Sequence, residues 1–250
     1  MLEYSPTQQI IQLSFEELKY VMQWVRERER SAPYPVTILI GGWAVDAYNR
    51  WYGSIDIDLV TNHKTREYLK QYLINHRGFE HHRELGLHTV AKNAAAGKII
   101  IDFLSRDIAD PFEGRSETLD FNILKGNTVI KKIRDQVIAD IPTRSLLLIF
   151  KLKAVWDRTY RIQRKTSNDT VWDQAKRIKD CGDVLALIDP NFGGEDLDLR
   201  FLGEQFSAFG FLIDCLKNIP ENKAALSKYM KMDYETAHRT CNNLLLLVSG

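Results

Sequence analysis

Cysteine is scarce in this chain, and the three that occur, Cys181, Cys215 and Cys241, are widely spaced with no CxxC pair. That spacing excludes a disulfide-stapled scaffold and a zinc ribbon, and it predicts reduced thiols in a packed core. No stretch approaches the ~20 consecutive apolar residues a bilayer-spanning helix needs. Met1 to Gln12 also lacks the charged-then-apolar order of a secretory signal, so a cytoplasmic location with no membrane partner is expected. Neither sign of charge dominates, with 34 Lys and Arg against 33 Asp and Glu. The balance rules out a uniformly basic nucleic-acid coat and leaves room for a local basic cleft. Internal repeats and low-complexity tracts are lacking, which excludes a solenoid. What is present is an ordinary globular composition, 44% hydrophobic and 27% charged over 250 residues. That is enough apolar material for one large domain or two modest ones without structural metal.

The hydrophobic pattern changes character along the chain. Ser14 to Glu17 has capping-box spacing, and Leu18, Val21, Met22 and Val25 recur at helical intervals, predicting a helix to about Glu29. Ala32 to Pro35 breaks the chain, Val36 to Ile40 reads as a buried strand, and Gly41-Gly42 turns into a helix from Trp43 to about Trp51. Ser54 to Val60 alternates as a strand with one polar face. Thr65 to Asn75 reads as a helix closed by Gly78. Strands are expected at Glu80 to His82, Gly86 to Lys92 and Lys98 to Leu104, with the last two joined by a turn at Asn93 to Gly97. Two short strands, Asn122 to Leu124 and Thr128 to Ile130, complete the mixed half. Beyond Pro142 the segments Ser145 to Thr159, Val171 to Ile188, Leu197 to Leu216, Lys223 to Met230 and Tyr234 to Val248 all have helical periodicity, with a polar loop at Arg161 to Asn168. The expected architecture is α+β: a mixed sheet flanked by helices in residues 1–141, then an all-helical domain in 142–250.

Within the mixed half, chemistry concentrates on two strands. Residues two apart on a strand point the same way, so Asp56 and Asp58 project from one face with backbones about 7 Å apart. Asp102 lies in Ile99-Ile-Ile-Asp-Phe-Leu104, a strand so apolar that a carboxylate there is costly to bury without a cation or a donor. If the two strands are neighbours, three hard oxygen ligands converge, a set suited to one or two Mg²⁺ ions. Asp102 is then either a metal ligand or a general base. The Gly41-Gly42 turn, between strand and helix, lets backbone amides approach phosphate oxygens. Ser54 either caps the turn or offers its hydroxyl to the same anion.

Together these parts form a pattern: Leu39-Ile-Gly-Gly-Trp43, thirteen intervening residues after Gly42, Asp56-Ile-Asp58, then Asp102 on a later strand. This resembles the signature of the DNA polymerase β-like nucleotidyltransferase superfamily, a glycine turn followed by a DhD strand and a third downstream carboxylate. The run Gly41-Gly-Trp-Ala-Val-Asp46 is similar to aminoglycoside and lincosamide nucleotidyltransferases. Lys151-Leu-Lys-Ala-Val-Trp-Asp-Arg158, followed by Arg177-Ile-Lys-Asp180-Cys-Gly-Asp183, resembles the helical region of AbiEii-type enzymes, often toxins of toxin–antitoxin systems. The resemblance covers roughly residues 36 to 190. It implies a nucleotidyltransferase fold, with Asp56, Asp58 and Asp102 as catalytic and metal-binding residues for Mg²⁺, two ions in all. It also implies Gly41, Gly42, Ser54 and Lys151 as nucleotide-binding residues. The reaction implied is transfer of NMP from an NTP such as ATP to a hydroxyl of tRNA or protein, with an antitoxin as a further partner. A small hydroxylated antibiotic as acceptor, or a nucleotide-binding module without catalysis, are the alternatives. The sequence departs from many family members in placing Gly53 where a basic residue precedes the DhD strand.

The remaining polar residues have plainer readings. Lys151 sits on an apolar helix, where a lysine can also extend its head to water. Asp180 and Asp183 are equally ion-pair partners for Lys176, Arg177 or Lys179. His81 and His82 point to opposite strand faces and have no cysteine partner nearby, so together with His88 they make a poor zinc set. Trp43, Trp51, Trp156 and Trp172 fit packing better than base stacking.

Overall fold

A computed structural model describes residues 6–30, 34–82 and 88–249. It is a mixed α+β protein that divides into two compact units. One comprises Ser5–Asp110 with Asp120–Thr143 and contains the main sheet; the other gathers Pro111–Leu119 and Arg144–Gly250. The boundary falls within two residues of position 141, but the short segment Pro111–Leu119 groups with the helices, which strand patterning gave no reason to expect. No helix among the described residues is long and apolar enough to cross a membrane.

In the sheet unit, α1 (Gln8–Glu29) is longer than its sequence signature. Thr7, not Ser14, caps it, accepting a hydrogen bond from the Ile10 amide at 3.4 Å. Ser14 lies inside the helix, and its hydroxyl accepts from the Trp43 indole at 3.2 Å, so its polarity serves a tertiary contact. Ile11, Phe15, Leu18, Met22 and Val25 are buried along one stripe of α1.

The strands β1 (Ile38–Ile40), β2 (Asp56–Thr61), β3 (Glu80–His81), β4 (Thr89–Ala94) and β5 (Gly97–Ser105) form one mixed sheet in the order β1-β2-β5-β4-β3. Only β2 and β5 run parallel. These two lie at the centre, where Ile57, Leu59, Ile101 and Phe103 are buried on the face opposite the aspartates. Between β1 and β2 the helix α2 (Gly41–Asp46) is a short one that starts at the glycines themselves and stops well before Trp51. The helix α3 (His63–Arg77) ends on Gly78 in the left-handed conformation, φ +71°, as its sequence predicts. The part of the expected strand at Gly86 and Leu87, like the chain break at Ala32 and Pro33, lies outside the described residues.

For the end of this unit one expectation is corrected and the other holds, since Thr128 to Ile130 is a strand that runs on to Ile133. Asn122 to Leu124 is a turn of 3-10 helix (Phe121–Leu124) rather than a strand, because the Asp120 carboxylate accepts from the Asn122 amide at 2.8 Å and starts a helical turn. The two-residue strands β6 (Asp110–Pro111) and β7 (Thr118–Leu119) make a small separate sheet, and the segment Pro111–Leu119 that carries most of it groups with the helical unit. β8 (Thr128–Ile133) pairs with an unforeseen β9 (Val137–Pro142) as a hairpin whose turn holds Arg134 and Asp135 at positive φ. Arg134 is anchored in that conformation by Asp46, with Nε to Oδ2 at 3.1 Å.

The helical unit is built on α4 (Arg144–Arg164) against α5 (Thr170–Ile188). Leu148, Leu152, Val184, Leu185 and Ile188 are buried in its core. The expected loop from Arg161 starts later, after Arg164. The single helix expected from Leu197 to Leu216 is two, α6 (Leu199–Ala208) and α7 (Phe211–Lys217), because Phe209 leaves the helical region at Gly210. α8 (Lys223–Tyr229) and α9 (Tyr234–Ser249) follow. The three cysteines are free thiols; Cys181 and Cys241 are buried and Cys215 is half-buried.

Candidate active site

The pairing of β2 with β5 decides the geometry of the carboxylates. Parallel register places Asp58 opposite Asp102 and Asp56 opposite Ile100. Partners on neighbouring strands stand about 4.8 Å apart and project to the same side, so Asp58 and Asp102 are adjacent side chains. Asp56 is on that side two residues earlier. The same row continues outward to Ile40 on β1, opposite Asp58, and to Thr89 on β4, opposite Asp102. Thr89 donates its hydroxyl to Asp102 Oδ1 at 2.6 Å, which fixes the carboxylate's orientation. Thr89 was not singled out in the sequence; its signal is a lone hydroxyl at the start of an apolar strand, and that signal has meaning only once the register is known.

Gly41 follows Ile40 directly and has φ +70°. A Cβ built there would meet Asp58 Oδ2 at 1.8 Å, so the Asp58 carboxylate lies against the Gly41 backbone in space no other residue leaves open. Gly42 is buried in the first turn of α2. Ser54 is buried, and its hydroxyl accepts from the Asp56 amide at 3.3 Å, so it shapes the entry to the DhD strand. Asp46, the end of the Gly-Gly-Trp run, is buried against Arg134 and serves the hairpin.

The donor set suits a hard divalent cation: three carboxylates on one face of two adjacent strands, with Asp56 only 9% exposed in an apolar sheet. The row is open. Among the described residues no three His, Cys, Asp or Glu side chains are drawn into a ready-made cage.

Lys151 belongs to the helical unit and is buried there. Its ammonium lies 3.1 Å from Asp180 and 2.7 Å from Asp183. Lys179 reaches the same Asp183 oxygen at 2.7 Å, Arg158 joins Asp180 to Asp173, and Arg161 joins Asp173 to Glu113. Burial alone pushes the Asp180 carboxyl up, but Lys151, then Arg158 and Lys179, more than reverse that and hold it well below the usual carboxylate range. Lys179, wholly enclosed, is pushed down by burial despite Asp183. In the contacts it makes, Lys151 is therefore part of a buried charge network that ties α4 to α5.

On α3, Arg66 and Lys70 are buried cations beside Glu67. Sequence reading passed over them, since charged residues at i and i+4 on a helix ordinarily mark a solvated face. The His88 imidazole is held below its ordinary value by burial and then by Arg66 and Lys70.

Compared with models of known protein families the chain matches none, and a comparison with curated proteins likewise returns no match.

Proposed function

We propose that the chain is a metal-dependent nucleotidyltransferase of the polymerase β-like kind, moving NMP from an NTP to a hydroxyl acceptor. The observation that carries this reading is the register of Asp58 with Asp102, with Asp56 on the same face and Gly41 closed against the Asp58 carboxylate. A structural turn has no need of a glycine pressed onto a carboxylate; a site that brings main chain, carboxylates and a phosphate-bearing ligand together does.

In this reading Asp56, Asp58 and Asp102 would hold Mg²⁺, which when bound would supply charge neutralisation on the triphosphate and alignment of the attacking hydroxyl. The acceptor oxygen forms a bond to the α-phosphorus as the bond to the bridging oxygen breaks, and pyrophosphate leaves with that electron pair. Asp102, oriented by Thr89, would be the group to take the hydroxyl proton. The Gly41-Gly42 segment would offer backbone amides to the phosphates, and Ser54 keeps the DhD strand in place through the Asp56 amide. The acceptor favoured by the resemblance of the helical half is tRNA or protein.

The test is transfer from each of the four α-phosphate-labelled NTPs, with Mg²⁺, to total tRNA, protein and an aminoglycoside panel, comparing the chain with its Asp56→Ala variant. Label on tRNA or protein that vanishes in the variant supports the proposal. Label on an aminoglycoside reassigns the acceptor to an antibiotic. Nucleotide binding with no transfer to any acceptor points to a non-catalytic module.

A further inference from the structure

Where α4 packs on α5, arginines are matched to carboxylates. Arg158 takes Asp173 at 3.0 Å and Asp180 at 2.9 Å, and Arg161 takes Asp173 and Glu113, each at 3.1 Å. Arg177 on α5 departs from this. Its side chain makes no hydrogen bond or ion pair with a described residue, and its Nε is buried without an acceptor. The carboxylates nearest along its own helix, Asp173 one turn before and Asp180 one turn after, are engaged by Arg158, Arg161 and Lys151. A buried N–H left without an acceptor costs free energy, and a guanidinium offers a rigid fork that matches a carboxylate.

Arg177 lines a cavity of about 600 Å³ within the helical unit, a volume suited to a small organic molecule. Val155, Cys181 and Ile219 are buried in its walls, and half-buried Trp156 adds an aromatic surface. Trp156 is held in place by Phe211, with ring centroids 4.6 Å apart, and by donating Nε1 to the Glu113 carbonyl at 3.1 Å. The two thiols in the lining do not supply the missing anion, because burial pushes Cys181 up to about 12 and raises Cys215 as well. Both act as neutral groups: Cys181 accepts from Asn222 Nδ2 at 3.4 Å, and Cys215 donates to the Leu152 carbonyl at 3.6 Å. The other charged residues of the lining, Asp214, Glu221 and Lys223, are exposed and form its rim. Asp214 lies 4.0 Å from Lys217, and Glu221 accepts from the Tyr234 hydroxyl at 2.9 Å. Two acids against one lysine leave the rim negative, which opposes entry of a polyanion such as a triphosphate or a nucleic-acid strand. One inward cation among apolar walls matches a single negative charge on an apolar body.

We propose that Arg177 and this cavity form a binding site for a small carboxylic acid with an apolar or aromatic body. The carboxylate meets the guanidinium, and the body rests on Val155, Trp156 and Ile219. The site lies within the helical unit, shares no residue with the carboxylate row of β2 and β5, and stands independently of the nucleotidyl-transfer reading.

The test titrates the full chain with 2-naphthoate and follows the backbone amides of Arg177, Ile219 and Asn222 by NMR. Saturable shifts at these amides are expected. The neutral isostere 2-naphthalenemethanol, which lacks the charge, and acetate, which lacks the body, are each expected to bind at least ~10-fold more weakly. Arg177→Gln is expected to weaken naphthoate at least ~10-fold, the loss of a charge-assisted contact. 2-Naphthyl phosphate, a dianion at pH 8, is expected to bind more weakly than naphthoate because of the rim acids. Arg177 bonds to no described residue, so the variant is expected to keep its urea midpoint; should it fail to fold, the wild-type comparison of acid with alcohol at the three amides decides. Absence of saturable shifts there, equal binding of acid and alcohol, unchanged naphthoate affinity in Arg177→Gln, or tighter binding of the phosphate overturns the proposal.

Discussion

Replacing Gly41 by alanine separates two costs that are usually entangled. Gly41 and Gly78 have nearly identical φ, +70° and +71°, so alanine at either carries the same class of left-handed penalty, about 1–2 kcal/mol. Their surroundings differ. Nothing lies within 4 Å of a Cβ at Gly78, whereas at Gly41 the new atom meets Asp58 Oδ2 at 1.8 Å, Cγ at 2.7 Å and Cβ at 3.0 Å. The carboxylate must leave its position or the strand must shift, and overpacking of that kind costs a further ~1–3 kcal/mol. Gly41→Ala is therefore expected to lose about 2–5 kcal/mol in urea unfolding, against about 1–2 kcal/mol for Gly78→Ala measured in parallel. On the proposed nucleotidyl-transfer reading, transfer is expected to fall further than the lost stability explains, since Asp58 is the group displaced. Equal destabilisation by the two alanines would refute the claim that the Asp58 carboxylate rests on the Gly41 backbone.

Other expectations follow from the helical unit. Asp183→Asn weakens the compensation of Lys151 and Lys179, both 2.7 Å from the same oxygen, and should cost about 3–5 kcal/mol in urea unfolding. Acid should act through the same network. Asp180 and Asp173 are held below the ordinary carboxylate value once folded, so their contribution is complete above the unfolded value of about 3.9 and is lost as pH falls through that range toward the depressed one. Urea midpoints should therefore decline between about pH 5 and pH 3, more shallowly in Asp180→Asn. Burial pushes the Cys181 and Cys241 thiols up to about 12 and raises Cys215 as well. Iodoacetamide near pH 8 should leave all three unlabelled in the folded protein and label all three in urea, read by mass.

Much of the candidate site was legible because strand geometry has a period of two. Asp56-Ile-Asp58 must share a face, and an aspartate inside Ile-Ile-Ile-Asp-Phe needs company, so one fact about pairing was enough to unite them. Gly78 and the long helices α4, α5 and α9 were readable for the same local reasons. What was not legible depended on distant contacts. Ser14 satisfies the capping-box spacing yet spends its hydroxyl on Trp43, twenty-nine residues on. The break at Phe209 and Gly210 has no proline to announce it. β9 could be recognised only against β8, its partner in the hairpin. Arg66 and Lys70 looked like a solvated helix face, and only their burial sets them apart.

The central claim is that the carboxylate row holds the metal. Its most direct test is Mn²⁺ binding in the presence of ATP, followed by electron paramagnetic resonance in the wild type, Asp58→Asn and Asp102→Asn, each verified as folded. The account predicts Mn²⁺ binding weakened at least ~10-fold in each variant, the loss of one charged ligand from a shared site. Unchanged Mn²⁺ affinity in both variants would contradict it.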